Sequence, residues 1–183
     1  MTSLRLLAIS GSLRKHSYNT AALHAAKAVS PKHVDIHIAS IDRLPLFNPD
    51  LESTDIFAVT ELKSLLSTAS GLIIASPEYA HGISGPLKNA LDWLVSGVEF
   101  PDKPIMLINT SPRASHAQAA LKAVLATMSG DLIHDANITL PLLGSDMDRK
   151  DILNSTEMVM LVNRGLETFE REIRLRQALA LAE

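Results

Sequence analysis

Cysteine is absent from the 183 residues, which removes disulfides, thiolate nucleophiles and cysteine-bound metals together. That absence is compatible with a reducing cytoplasm, the expected setting. No uncharged apolar run reaches the roughly 18 residues of a membrane-spanning helix. The opening MTSLR leads straight into a strand-like segment, without the basic start, apolar stretch and small-residue cleavage site of an export signal. Basic residues are in no excess: 17 Lys and Arg stand against 20 Asp and Glu, for a net charge of −3, and they are scattered rather than striped. That leaves no footprint for nucleic acid. The expected partner is a small molecule, with no nucleic acid and no membrane.

Several chemical signatures are also missing. Neither GxxxxGK[ST] nor GxGxxG occurs, which argues against a triphosphate or dinucleotide phosphate loop. The histidines at 16, 24, 33, 37, 81, 116 and 134 form no HExxH or similar spacing, so no metal site is expected. Residues 82–85, GISG, lack the spacing of a nucleophile elbow. Asp146-Met147-Asp148 begins like a calcium loop, but Asp151 stands where that loop needs glycine; the segment is read as a solvated turn.

What is present is an alternation of apolar strand segments with helical patterns, over a length that suits one domain, residues 1–183. Residues 4–9, 72–75 and 105–108 are nearly continuous apolar runs, as in parallel strands covered on both faces. Residues 34–38 and 137–142 alternate apolar with polar, as at sheet edges. With the second and fifth strands outermost, the expected fold is α/β: a flavodoxin-like doubly wound five-stranded parallel sheet, order 2-1-3-4-5, with helices on both faces. Helices are expected at about 18–29, 54–69, 86–95, 115–129 and 155–178. Pro86 opens the third, and Leu87, Ala90, Leu91, Leu94 and Val95 form its apolar stripe.

The run Ser10-Gly11-Ser12-Leu13-Arg14-Lys15-His16-Ser17-Tyr18-Asn19-Thr20 joins the first strand to the first helix. Its hydroxyls, the Asn19 amide, the Arg14 guanidinium and the helix's positive end suit a single phosphate group. The plainer alternative is a serine-rich turn in which Ser17 or Asn19 merely caps the helix. Ligands of doubly wound sheets lie above the carboxyl ends of the strands, where winding reverses. That places a second loop, SPEYAHGISGPLKNALDW at 76–93, on the same crevice.

These two loops together resemble the NAD(P)H-dependent FMN reductase family, which includes chromate and quinone reductases, in a GSLRxxSxN-type phosphate loop and a PEYxxxxxGxLKNAxDW-type segment. The resemblance covers most of the first 130 residues. It implies FMN, bound non-covalently, with Ser10, Ser12, Arg14, Ser17, Asn19 and Thr20 at its phosphate and Pro77, Glu78, Tyr79 and Gly82 along the isoalloxazine ring. It implies a hydride taken from NAD(P)H and electrons passed to a small acceptor such as a quinone, free flavin or chromate, by a ping-pong route that asks no acid, base or nucleophile of the protein. A homodimer or homotetramer is expected on the same ground. The alternative is a flavodoxin-like electron carrier or flavin-binding sensor with little NAD(P)H turnover; a TGxTGxT loop and a strongly acidic surface, usual in flavodoxins, are not seen. Trp93 and Leu94 are read as packing or subunit-interface residues.

The third loop departs from the family pattern. Many relatives have glycines there, whereas Asn109-Thr110-Ser111-Pro112-Arg113-Ala114-Ser115-His116 has none. Ser111 is assigned a donor role near the flavin's pyrimidine end. Arg113 is assigned to the reduced flavin or a nicotinamide-cofactor phosphate, with a solvated surface arginine as the alternative. His81 and His116 lie in these loops as candidate substrate contacts.

Overall fold

The computed structural model describes residues 3–181. In chain order the elements are β1 (Leu4–Ser10), α1 (Tyr18–Val29), β2 (Val34–Ala39), α2 (Phe57–Thr68), β3 (Gly71–Ala75), β4 (Glu78–Tyr79), β5 (Gly82–Ile83), α3 (Gly85–Leu94), β6 (Pro104–Asn109), α4 (Ser115–Thr127), β7 (Asp131–Leu132), β8 (Ile138–Thr139), α5 (Arg149–Asn154) and α6 (Thr156–Ala180). The parallel sheet runs β2-β1-β3-β6, and β7 and β8 share the next place beside β6. Strand for strand this is the expected 2-1-3-4-5 order, with the fifth position split. β4 and β5 form a separate antiparallel hairpin.

Both faces of the sheet are covered, which explains the unbroken apolar runs. Alternate residues go to opposite cores: Leu6, Ala8, Ile73, Met106 and Ile108 pack with α1 and α6, while Leu7, Ile9, Leu72, Ile74 and Leu107 pack with α2, α3 and α4. In β3 every residue is buried, whereas β2 exposes Asp35 and His37, as its alternation predicts. Each fully buried Leu, Ile or Phe contributes about 1.5–3 kcal/mol. Phe169 and Ile173 of α6 close so tightly on the sheet that a Cβ at Gly71 would stand 2.8 Å from both.

Two local differences have clear causes. The expected edge strand at 137–142 is reduced to β8, because a 3-10 turn at His134–Ala136 separates it from β7 and Pro141 has no N–H for a ladder. Between the pieces the Leu107 N–H donates to the Asn137 side-chain oxygen at 2.7 Å, in place of a backbone carbonyl. The expected solvated turn at 146–148 instead leads into α5: Asp148 caps that helix, accepting from the Lys150 and Asp151 amides, and Asp151 accepts in return from the Asp148 amide. Helix α3 begins at Gly85, one residue before Pro86, with Ser84 as its cap. Trp93 is fully buried inside the chain, donating to Pro45 O at 2.8 Å and meeting Phe47 edge-on at 5.1 Å.

Candidate functional site

Strands β1, β3 and β6 stop side by side, and a hydroxyl residue lies at or just after the end of each: Ser10, Ser76 and Thr110, all buried. The chain crosses from β1 to β2 on one side and returns through β3 on the other, so the crevice opens above their carboxyl ends. There the loops after β1, β3 and β6 enclose a cleft of about 280 Å³.

Ser12, Arg14, Ser17 and Asn19 from the first loop line the cleft. Ser17 caps α1, its Oγ accepting the Thr20 amide at 3.4 Å, so the capping role and a place at the cleft belong to the same residue. Asn19 is buried, and its Oδ1 accepts from Thr110 Oγ1 at 3.0 Å. That bond ties the first loop to the third and leaves the Asn19 amide hydrogens for a ligand. The Arg14 guanidinium makes no ion pair among the described residues. Ser10 and Thr20, expected at the same phosphate, do not line the cleft. Their hydroxyls lie 2.9 Å apart, and Ser10 Oγ accepts the Ser12 amide at 3.3 Å, so they shape the loop from behind.

The loop is also fixed from below. Ser84, fully buried, donates to Gly11 O at 2.6 Å and accepts the Leu87 amide at 3.4 Å, bolting the first loop to the start of α3. Gly11 is required by this packing: an added Cβ would lie 2.5 Å from Ser76 Oγ and 3.0 Å from Ser84 Oγ.

Pro77, Glu78 and Tyr79 from the second loop line the same cleft, with Ser111 and Arg113 from the third. Tyr79 is half exposed at the mouth. Gly82 stands back from the cleft, in β5 opposite Tyr79. The hairpin's two-residue turn puts Ala80 (φ 48) and His81 (φ 60) in the left-handed region without a glycine, at a cost of about 1–2 kcal/mol each. Side-chain contacts hold it there: His81 Nδ1 lies 3.1 Å from Glu78 Oε1, and its ring meets that of His116 edge-on at 4.5 Å.

Glu78 links this hairpin to the third loop. Helix α4 has no side-chain cap of its own, and the Glu78 carboxylate takes the Ala117 N–H in its first turn at 2.8 Å. That bond, chiefly, holds the Glu78 carboxyl below its ordinary range; partial burial opposes it, and His81 and His116 add to it. Arg113 is exposed and makes no ion pair among the described residues, so the third loop presents a free guanidinium at the cleft in place of glycine backbone.

Sequence reasoning missed Ser76, Ser84, Thr110, Tyr18 and Leu143. A hydroxyl at the end of each central strand was the available signal for Ser76 and Thr110. Ser84 lies within the second loop, but no local pattern marks its bond to Gly11, and nothing local marks Tyr18 or Leu143.

Residues 4–138 match the NADPH-dependent FMN reductase family. The chain is 29% identical over 177 residues to NAD(P)H-dependent FMN reductase PA1204 of Pseudomonas aeruginosa, covering 93% of this chain and 96% of that protein. It is 33% identical over 130 residues to 2-hydroxy-1,4-benzoquinone reductase of a Burkholderia species, covering 68% and 71%. The fold is similar to that of the flavoenzyme NAD(P)H:(acceptor) oxidoreductase FerB from Paracoccus denitrificans, with a TM-score of 0.70 at 23% identity over 92% of this chain and 98% of that one.

Proposed function

The chain belongs to the NADPH-dependent FMN reductase family, and from that premise we propose that this NAD(P)H-dependent flavin oxidoreductase delivers electrons to a quinone-type acceptor, with free flavin and chromate as further acceptors. The two substrates take turns at one open cleft, which makes the kinetics ping-pong.

One observation supports the reading: a single cleft is lined both by phosphate-type donors from the first loop and by Pro77, Tyr79 and Ser111, which suit a flat ring. The fit to FMN is chemical. Ser12, Ser17, the Asn19 amide and the Arg14 guanidinium, which makes no ion pair among the described residues, line the cleft beside the positive end of α1, a donor set for one phosphate group. Pro77, Tyr79 and Ser111 supply an extended backbone, an aromatic surface and a hydroxyl for a flat heterocycle. Once bound, FMN supplies the chemistry, accepting a hydride and returning electrons to the next substrate. The chain positions and encloses. Ser84 and Gly11 hold the phosphate end, Glu78 fixes the hairpin to α4, and Arg113 sets positive charge beside the ring. Tyr79, half exposed, offers a stacking surface to a planar acceptor.

The test is anaerobic. Protein reconstituted with FMN is mixed with NADPH or NADH and its visible absorbance followed, then initial rates are measured against both donor and a soluble quinone. Rapid bleaching and parallel double-reciprocal lines are expected. FMN binding without bleaching by either nucleotide would make the chain a carrier or sensor, and intersecting lines would refute the shared cleft. Assembly as a homodimer or homotetramer belongs to the same proposal, and a light-scattering mass of one chain would overturn it.

A further inference from the structure

A second cavity of about 540 Å³, larger than the cleft, lies on the outer side of the loop after β1. Lys15 and His16 line it together with the first turns of α1 as far as His24 and with Leu143, Gly144, Asp146, Met147 and Asp148 ahead of α5. Arg14, Ser17, Tyr18 and Leu143 border both spaces, so the cavity and the cleft adjoin along that rim. The segment ahead of α5 has a defined shape. Tyr18 Oη accepts the Asp146 amide at 3.1 Å, and Gly144 (φ 79) and Asp146 (φ 54) both take left-handed backbone.

The content of this cavity is mixed in a specific way. Lys15 makes no ion pair among the described residues and suits a diphosphate oxygen. Met147, Leu143 and the Tyr18 ring give a polarizable apolar surface for a purine. Two carboxylates line the cavity with Lys15: Asp148 already accepts the Lys150 and Asp151 amides, whereas Asp146 makes no side-chain bond among the described residues and is left to accept one, as a ribose hydroxyl would offer. An inorganic anion alone has no use for that carboxylate and is repelled by it. A nicotinamide dinucleotide, by contrast, must bring one ring to the flavin and find room for a second nucleotide.

We infer that this cavity holds the adenosine diphosphate arm of NAD(P)H, with Lys15 on the diphosphate and Asp146 on the ribose, while the nicotinamide reaches the cleft across the Arg14–Tyr18 rim. The inference rests on the reading of the chain as an NAD(P)H-dependent reductase.

Two hydride donors separate the two claims: NADH or NADPH, and 1-benzyl-1,4-dihydronicotinamide, which has the donating ring without the arm. Lys15→Glu is expected to lower the ratio of kcat/KM for the dinucleotide over the short donor about tenfold, the scale of one charge-assisted contact, mainly through KM. Lys15→Arg restores most of it, and Asp146→Ala lowers the same ratio by a smaller factor. ADP-ribose, titrated calorimetrically, is expected to bind about tenfold more weakly to Lys15→Glu, and to inhibit the dinucleotide reaction but not the short-donor reaction. A ratio unmoved by Lys15→Glu, or equal inhibition of both donors by ADP-ribose, overturns the inference while the reductase stands. No reduction by either dinucleotide, with the short donor still active, overturns the donor assignment and this inference with it.

Discussion

Replacing Gly11 by alanine puts a methyl group 2.5 Å from Ser76 Oγ, 2.9 Å from Ser76 Cβ and 3.0 Å from Ser84 Oγ. Both neighbours are buried, and Ser84 is held at both ends by Gly11 O and the Leu87 amide, so neither can swing aside without breaking something. Overpacking of this kind costs about 1–3 kcal/mol. Gly11 lies outside the left-handed region, so alanine also stiffens the unfolded chain and returns roughly 0.4–1 kcal/mol. From the middle of both ranges the net expectation is a loss of about 1.3 kcal/mol, or roughly 3–5 °C in Tm for a chain of this length. Urea unfolding with and without FMN measures it. Protection by FMN should shrink as well if the displaced segment holds the phosphate as proposed. Ser76→Gly removes the two closest atoms, so Gly11→Ala combined with Ser76→Gly should fall well short of the sum of the single losses. An alanine variant as stable as the parent, or losses that simply add, would refute the packing argument.

Arg14→Ala should weaken FMN binding roughly 10–100-fold by fluorescence titration, while riboflavin, which has no phosphate, binds as before; equal losses for both ligands would sink the phosphate assignment. The Glu78 carboxyl, held below its ordinary 4.5, adds stability above that pH and loses it as the pH falls through its folded value. Acid unfolding should therefore steepen below about pH 4.5 in the parent and flatten in Glu78→Gln, and superimposable acid limbs would count against the cap on α4. Trp93→Phe removes the donor to Pro45 O, but Asn89 Nδ2 also donates to that oxygen at 2.9 Å, so the expected loss from the bond is only about 1 kcal/mol. Adding Asn89→Ala should then cost more than it does in the parent, since the carbonyl loses both donors, and strict additivity in thermal melts would contradict this.

The central strands could be read from the sequence because burial on both faces leaves no polar position in them. The outer strands depended on more than alternation. Residues 137–142 alternate as a strand should, yet the ladder there is decided by Pro141, which cannot donate, and by Asn137, whose side chain takes a rung. Helix α5 escaped notice because its six residues carry little apolar periodicity and its start is fixed by two aspartates that read equally well as a turn. At the site, residues that touch the cleft were legible where a loop concentrates donors, as from Ser12 to Asn19. The bonds that hold those loops were not. Ser84 to Gly11 and Glu78 to Ala117 join positions far apart in the chain, and no local pattern announces a partner that only folding supplies.

The interrupted fifth position has a bearing on how the molecule behaves among its own copies. A long, regular outer strand would present a row of free amides and carbonyls to any extended segment from another chain, inviting the sheet to grow. Here that border offers two two-residue pieces separated by a turn, with the Asn137 amide set into the gap and Pro141 just beyond. An incoming strand finds no continuous register to copy. The break that cuts this strand to two residues also makes that side of the sheet a poor template for aggregation.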